Sequence, residues 1–309
     1  MSLLSPDALW FSPWVLGLLG LCIGSFLNVV IHRLPRMLER QWWRDAAAQL
    51  GDGESWQRVS GQAAPAALPA TARQLESALD ALPAYDLARP ASACPACGHR
   101  IRWYENLPLV SWALLLRGRC SACRTPISVR YPLIELATGL LFAAAAWRFG
   151  PVPQALMWCG VLAVLVALTA IDLDTFLLPD DLTLPLLWAG LIAAAAGWTV
   201  ALPTALAGAV VGYGALWSVY WVFKLATGKE GMGHGDFKLL AALGAWLGWP
   251  AILPIVLMSS VLGALVGIGL KLSGRLDRGH PMPFGPFLAG GGIVVILAGT
   301  SRVLGWIGQ

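Results

Sequence analysis

Residues 153–171 read PQALMWCGVLAVLVALTAI, a run without a charged side chain that ends directly before Asp172. A helix needs about 20 predominantly apolar residues to cross the hydrocarbon core of a bilayer, and this run has that length and composition. The rest of the chain agrees, because 57% of its 309 residues are hydrophobic and only 12% are charged. Soluble domains carry about 25% charged residues, so the composition excludes an ordinary soluble enzyme.

Seven further apolar runs predict an all-α polytopic membrane protein with about eight transmembrane helices. They cover residues 9–31, 131–148, 181–198, 201–223, 237–248, 250–270 and 285–305. Basic residues follow the first run rather than precede it, which favours a retained span over a signal peptide. The prediction divides the chain into a first transmembrane helix (1–31), a loop (32–130) and a membrane-embedded core (131–309). Within that loop, residues 45–90 are expected to be loose, with one short helix near 73–82.

The lysines and arginines are unevenly distributed between these runs. If the large loop lies in the cytoplasm, alternating spans put all but two of the 21 basic residues on that side, which leaves Arg148 and Arg302 on the other. Cytoplasmic connections are enriched in basic residues close to the spans. The sequence therefore predicts a cytoplasmic loop and two termini on the opposite side.

Four of the six cysteines form two C-x-x-C pairs in this loop, Cys94 with Cys97 and Cys120 with Cys123. Disulfides are disfavoured in the cytoplasm, and four thiolates complete a closed tetrahedral zinc shell. Gly98 and Gly118 flank the pairs and suit tight turns. We expect a structural zinc site, while thiol redox chemistry or metal-free thiols remain the alternative.

Acidic residues at the ends of apolar runs are candidates for function, because ionisable groups at membrane depth are costly. Asp172 and Asp174 follow one run, and Asp236 precedes another within Gly-His-Gly-Asp. In the predicted topology Asp172 and Asp236 converge at one depth, where one carboxyl group can stay protonated while the other activates water. Asp174 is expected beyond the helix end and on another face. The alternative is that Asp180, Asp181 and Asp236 are helix N-caps or interfacial charges.

The ordered set of motifs resembles the type IV prepilin peptidase family. It comprises residues 24–35 (GSFLNVVIHRLP), the two cysteine pairs with Trp103-Tyr104-Glu105-Asn106 between them, 130–135 (RYPLIE), 172–179, 233–236 and 283–287 (PFGPF). The resemblance implies a multi-pass intramembrane aspartic protease of the bacterial inner membrane, with Asp172 and Asp236 as its catalytic pair. Such enzymes cleave type IV prepilins and type II secretion pseudopilins and then methylate the new N-terminus with S-adenosylmethionine.

The methyltransferase half is not visible as a motif, because no Gly-x-Gly-x-x-Gly follows a strand. Glu105 and Asn106 are the candidates for the S-adenosylmethionine site. Gly208, Gly212 and Gly214 are better explained as small residues that permit helix contact. The expected partners are prepilin substrates and the lipid bilayer, without nucleic acid, and the oligomeric state is left open. The rival hypothesis is a zinc-stabilised scaffold or assembly factor without peptidase activity.

Overall fold

The structure, a computed structural model, describes residues 9–274 and 282–307. Within these ranges the regular structure is helical with only isolated β-bridges, which confirms the predicted all-α class. The helices are α1 (Pro13–Gly51), α2 (Gly53–Ser60), α3 (Ala67–Asp80), α4 (Arg130–Phe149), α5 (Gln154–Thr175), α6 (Asp180–Ala195), α7 (Leu202–Thr227), α8 (His234–Leu247), α9 (Ile252–Leu272), α10 (Gly285–Ala298) and α11 (Thr300–Ile307). Arg275 and Arg278, two of the basic residues behind the predicted orientation, lie outside the described residues.

The first helix is much longer than the apolar run that predicted it. α1 begins after Ser12, whose hydroxyl accepts a hydrogen bond from the Val15 N–H. It then continues past Ile31, the end of the apolar run, and through Pro35 for a total of 39 residues. The apolar signal therefore marks only the part of α1 suited to the membrane and not the end of the helix.

The second half of α1 is polar and is stabilised by a tertiary contact. Its sequence is rich in Leu, Arg, Gln and Ala, which favour helix. It packs against α3, and Ala47 of α1 and Ala72 of α3 are both buried. The prediction of a loose segment over 45–90 is wrong for the end of α1 and for α2, whereas the short helix predicted near 73–82 is confirmed by α3.

The predicted apolar runs all contain helices, but these helices differ in length. α1, α4, α5, α7 and α9 with the turn before it are long and apolar enough to cross a membrane. α10 and α11 make a sixth candidate as a pair bent by 111°. α6 and α8 have only 16 and 14 residues, which is shorter than a full span. The described residues thus supply five or six candidate spans rather than eight.

α5 and α8 occupy the centre of the bundle. Fully buried side chains line both helices, among them Leu162, Leu165, Leu168, Leu239, Leu240 and Leu243. A short helix such as α8 is stable there because neighbouring helices, and not lipid, surround it. The two helices that carry Asp172 and Asp236 are therefore the most enclosed elements of the fold.

α7 and α8 approach each other closely at glycines. A Cβ atom on Gly208 would overlap the backbone of Gly244, and one on Gly212 would lie 2.6 Å from the Leu240 carbonyl oxygen. Small residues permit such contacts between membrane helices. The predicted contact role is confirmed for Gly208 and Gly212 but is wrong for Gly214, whose Cβ would meet no atom of the described residues within 4 Å.

Charged side chains gather at one end of the bundle. Arg130 at the start of α4 pairs with Asp174 near the end of α5. Lys238 of α8 pairs with Asp180 at the start of α6. These pairs bring the ends of four helices together on the side where the sequence analysis places the basic residues.

Candidate active site and cysteine cluster

Asp172 lies in the last turn of α5 and is 5% exposed. Its Oδ2 atom accepts a hydrogen bond of 3.0 Å from the backbone N–H of Gly285, the first residue of α10. A Cβ atom at residue 285 would lie only 2.5 Å from that oxygen. Glycine at this position therefore lets the start of α10 come close enough to hold the carboxylate.

Asp236 lies in the first turn of α8 and is 7% exposed. Its carboxyl group is close enough to that of Asp172 for their charges to interact. Leu178 joins the two sites, because it contacts both Gly235, which precedes Asp236, and Gly285. The ends of α5, α8 and α10 thus meet around two buried carboxyl groups, as the sequence predicts for Asp172 and Asp236.

The N-cap alternative does not fit the helix ends. Gly233 is the N-cap of α8, and Pro179 is the N-cap of α6. Asp180, Asp181 and Asp236 instead lie inside the first turns of these helices. The interpretation of the three aspartates as N-caps is therefore wrong, although an interfacial charge describes Asp180 and Asp181, which are both exposed.

Asp174 is separate from the buried pair. It is exposed, and its Oδ1 atom lies 2.6 Å from the Arg130 guanidinium. Arg130 also donates a hydrogen bond of 3.0 Å to the Ala170 carbonyl oxygen. The predicted difference in face is confirmed, but α5 continues to Thr175, so the prediction that Asp174 lies beyond the helix end is wrong.

Two neighbouring carboxyl groups in a buried site favour one protonated and one ionised form, because both charges together are costly. The ionised group can accept a proton from water, and the protonated group can donate one to a carbonyl oxygen. Such a pair suits the hydrolysis of an amide bond. The backbone N–H of Gly285 fixes the position of Asp172 within it.

The four predicted ligand cysteines form one cluster. Their Sγ atoms all lie within 4.8 Å of one another, with 3.8 Å between Cys94 and Cys123 and 3.9 Å between Cys97 and Cys120. Four sulfurs at about 2.3 Å from a tetrahedral zinc ion lie about 3.8 Å apart, so the cluster fits this metal. The pKa of Cys123 is lowered to about 6, mainly by a hydrogen bond with the Thr125 side chain and next by one with the Thr125 backbone. The lowered pKa favours the thiolate that binds metals.

Each cysteine pair belongs to the same kind of tight hairpin. The N–H groups of Gly98 and Arg124 donate to the carbonyl oxygens of Cys94 and Cys120, at 2.9 and 3.0 Å. Both donors have positive φ, 71° for Gly98 and 62° for Arg124. The predicted turn role of Gly98 is confirmed. Arg124 occupies the corresponding position of the second hairpin. Gly118 also has a positive φ, 70°, in the turn before Cys120, and its missing Cβ leaves room for the Trp112 ring, so its predicted turn role is confirmed as well.

Glu105 connects the two hairpins. Its Oε2 atom accepts a hydrogen bond of 2.8 Å from the Arg102 N–H and lies 3.4 Å from His99 Nε2. The Arg102 N–H, followed by Ser121 and His99, lowers the pKa of Glu105 and keeps the carboxylate ionised. Asn106 is exposed beside it. The structure therefore gives Glu105 a part in holding the loop together, and the use of both residues for S-adenosylmethionine stays a prediction.

Three contacts around the acidic pair were not predicted from the sequence. They are the Gly285 hydrogen bond to Asp172, the Arg130 contacts at the end of α5, and the pairing of Lys238 with Asp180. Gly285 and Arg130 belong to the motifs at 283–287 and 130–135, which offered the only signal. All three contacts join residues far apart in the chain, so sequence spacing alone does not reveal them.

Comparison with known proteins identifies relatives of the whole chain. Residues 18–149 match the family described as Bacterial Peptidase A24 N-terminal domain, and residues 159–268 match the Type IV leader peptidase family. A Pseudomonas putida protein called prepilin leader peptidase/N-methyltransferase is 52% identical over 283 residues, which cover 92% of this chain and 89% of the relative.

Two further relatives carry the same name. The one from Burkholderia pseudomallei (strain 1026b) is 50% identical over 93% of this chain and 85% of its own length. The one from Aeromonas hydrophila is 50% identical over 94% and 93%. No solved structure matches the chain.

Proposed function

The chain belongs to the type IV leader peptidase family, and we propose that Asp172 and Asp236 are the acid pair that cleaves its substrates. It is an enzyme that removes the leader peptide of prepilins and N-methylates the new N-terminus. One observation carries the assignment of the pair. Two carboxyl groups from different central helices are both buried and close enough for their charges to interact, at the end of the bundle where the charged residues gather.

The cleavage step uses both carboxyl groups in complementary states. The ionised group takes a proton from a water molecule, whose oxygen then attacks the carbonyl carbon of the scissile peptide bond. The protonated group donates its proton to the carbonyl oxygen as the tetrahedral intermediate forms. Collapse of the intermediate breaks the C–N bond. The carboxyl group that took a proton from water gives it to the departing amine, and the other carboxylate takes back a proton from a hydroxyl of the intermediate. The Gly285 N–H keeps the Asp172 carboxylate in place during these steps.

The substrates and the location follow from the same site. Prepilins and pseudopilins carry a cationic leader followed by an apolar helix, so their scissile bond lies at a membrane boundary. The pair lies at the helix ends that also hold Arg130 and Lys238, the side predicted to face the cytoplasm. The enzyme therefore resides in the bacterial inner membrane with its large loop in the cytoplasm. It cleaves its substrates at the cytoplasmic boundary of that membrane.

The cysteine cluster holds a structural zinc ion in this proposal. Cys94, Cys97, Cys120 and Cys123 supply four thiolates, which fill a tetrahedral shell and leave no position for substrate. Zinc bound in this way stabilises the fold of the loop and takes no part in hydrolysis. Glu105 supports the site because it contacts His99 beside the first cysteine pair and forms a hydrogen bond with Ser121 between the second pair.

The methyl donor, S-adenosylmethionine, binds on the same loop in this proposal. Asn106 offers an exposed amide for it, and Glu105 shapes the turn from which that amide projects. Calorimetric titration of the purified enzyme with S-adenosylmethionine tests this assignment. Asn106→Ala should weaken binding while the metal content and peptidase activity stay normal; unchanged binding would remove Asn106 from the site.

The assignment of the pair is tested by cleavage of a prepilin with wild-type, Asp172→Asn and Asp236→Asn enzymes in detergent. Both variants should lose cleavage, whereas Asp174→Asn, which changes the exposed neighbour, should keep it. The rival scaffold hypothesis predicts equal behaviour of all four proteins, namely no cleavage. The match of residues 159–268 to a peptidase family already argues against that hypothesis.

A further inference from the structure

The segment between the two cysteine pairs is apolar and largely exposed. Residues 103–116 read WYENLPLVSWALLL, with Glu105 as their only charged residue. The exposed apolar side chains are Trp103, Leu107, Val110, Leu114 and Leu115, and Leu114 is 72% exposed. A contiguous apolar surface of this kind marks an interaction site on a protein.

A hydrogen bond fixes this segment at the level of the membrane helices. The backbone N–H of Leu109 donates to Oε2 of the buried Glu135 at 2.8 Å. Glu135 lies five residues inside α4, about 7.5 Å from the start of the helix at 1.5 Å per residue. Leu109 has a positive φ of 58° at this contact, which is uncommon for a residue other than glycine. The segment therefore lies beside a candidate span and not above it.

Two polar side chains in the apolar half of the segment point inward, whereas Asn106 is exposed at its start. Ser111 is buried, and Trp112 donates its indole N–H to the Ile127 carbonyl oxygen. The backbone N–H groups of Ser111 and Leu116 bond to carbonyl oxygens of the same segment, at 3.0 and 2.7 Å. Backbone at membrane depth must be paired internally, because the hydrocarbon region offers no partner. The backbone N–H groups of Leu109, Ser111 and Leu116 meet this requirement, while the neighbouring Leu114 and Leu115 are exposed.

The surroundings match a lipid surface in both polarity and charge. The exposed apolar side chains continue onto the outer face of α4, where Leu133, Leu136 and Leu140 are exposed. Residues 92–130 contain six arginines and a single acidic residue, the buried Glu105. Arg100, Arg102, Arg117, Arg119 and Arg124 are all exposed around the segment. An apolar surface with a basic rim complements an anionic leaflet.

We propose that residues 107–116 insert into the interfacial region of the bilayer at the Asp172 end, with the surrounding arginines on anionic lipid headgroups. The membrane then holds the cysteine loop against α4. Arg130, the first residue of α4, contacts the end of α5, so the loop also lies close to that helix end. The loop is a membrane-bound platform beside the active site and not a freely projecting domain. Each arginine close to an anionic surface should strengthen this docking about fivefold.

The insertion is tested with a spin-labelled amino acid placed at Leu114 of the full chain in phosphatidylcholine vesicles with phosphatidylglycerol. Accessibility to oxygen and to a water-soluble nickel chelate is then measured. Leu140, 62% exposed on α4, is the lipid reference, and Val59, 88% exposed on α2, is the water reference. Position 114 should differ from position 59 in the direction of position 140, with higher accessibility to oxygen and lower accessibility to the chelate. Accessibilities equal to those at position 59 would overturn the proposal. So would a preference for oxygen over the chelate that develops only when a prepilin is added.

The charge requirement is tested by comparing vesicles with and without phosphatidylglycerol. Anionic lipid should raise the fraction of spin labels at position 114 that are accessible to oxygen and protected from the chelate. This increase should occur with the wild-type arginines but not in Arg117→Gln/Arg119→Gln. The matched control, Arg58→Gln/Arg73→Gln, changes two arginines of α2 and α3 and should respond like the wild type. All variants must retain zinc and peptidase activity. An equal lipid response in both double variants would contradict the role of the rim.

Discussion

Gly285 donates its backbone N–H to Asp172 across 3.0 Å and thereby joins the first residue of α10 to the last turn of α5. The contact depends on the absence of a side chain, because a Cβ atom at 285 would lie 2.5 Å from Asp172 Oδ2 and 3.1 Å from Leu178. Position 285 therefore fixes where one carboxyl group of the acidic pair lies.

Gly285→Ala should reduce prepilin cleavage, because the new methyl group displaces either Asp172 or the start of α10. A misplacement of about 1 Å in an active site costs about 100-fold in rate. The control is Gly290→Ala on the same helix, since a Cβ there meets no neighbour among the described residues within 4 Å. Steady-state kcat/KM should fall for the first variant only. Normal kcat/KM in Gly285→Ala would show that this contact does not position the carboxylate.

Asp172→Ala and Asp236→Ala should each lower cleavage by about 10²–10⁴-fold, the usual contribution of a general acid or base. Because the two groups act as a unit, the double variant should lose little more than either single variant. Asp181→Ala changes an exposed residue in the first turn of α6 and serves as the control. The measurement is single-turnover cleavage. Additive losses in the double variant would mean that the two groups act independently.

The acidic pair and the cysteine cluster could be predicted because residues of these types rarely occur at such positions or spacings without a function. A carboxylate at the end of an apolar run and two C-x-x-C pairs are visible in the sequence itself. Their surroundings depend on long-range contacts. The Arg130 to Asp174 pair joins α4 to α5, and the Glu135 carboxylate reaches the backbone of Leu109. Spacing along the chain carries no record of such contacts.

The polar half of α1 was missed for a related reason. Its residues lack an apolar run, and the helix is stabilised by packing of Ala47 in α1 near α3 rather than by burial in lipid. Glycine roles were separable only in the structure, where Gly212 contacts α8 and Gly214 does not. The sequence thus predicts that small residues form a helix contact. Which of these residues face the neighbouring helix depends on tertiary packing.

Metal analysis of the purified enzyme should find about one zinc per chain. Cys94→Ser/Cys97→Ser should abolish it and make the loop sensitive to protease, because structural zinc contributes about 10–16 kcal/mol of apparent binding in small peptides. Cys22→Ser, which removes a thiol outside the cluster, is the control and should keep the metal. A protease-resistant loop in the metal-free double variant would argue against a structural role.

Gly208→Ala should destabilise the membrane core, because its methyl group would overlap the backbone of Gly244 where α7 crosses α8. Overpacking typically costs about 1–3 kcal/mol. Gly214→Ala on the same helix faces open space and should leave stability unchanged. Thermal unfolding in detergent separates the two variants. Equal melting temperatures would mean that α7 and α8 can separate at no cost.

The last prediction concerns where the substrate meets the enzyme. Phe176 follows α5 directly and Phe284 precedes α10, so the two rings flank the helix ends that carry Asp172 and Gly285. Phe176 is exposed, which makes it accessible to a bound substrate.

Replacement of either phenylalanine by p-benzoylphenylalanine keeps the aromatic ring and extends it with a photoreactive benzoyl group. Illumination with a prepilin should then cross-link both positions to residues beside the scissile bond, since those residues must reach the acidic pair. Trp147, exposed near Arg148 at the opposite end of α4, is the control position and should give no such product. Peptide mapping of the cross-links provides the measurement. Cross-links to the scissile region from position 147 alone would reverse the proposed direction of substrate entry, because that end lies a full helix length from Asp172.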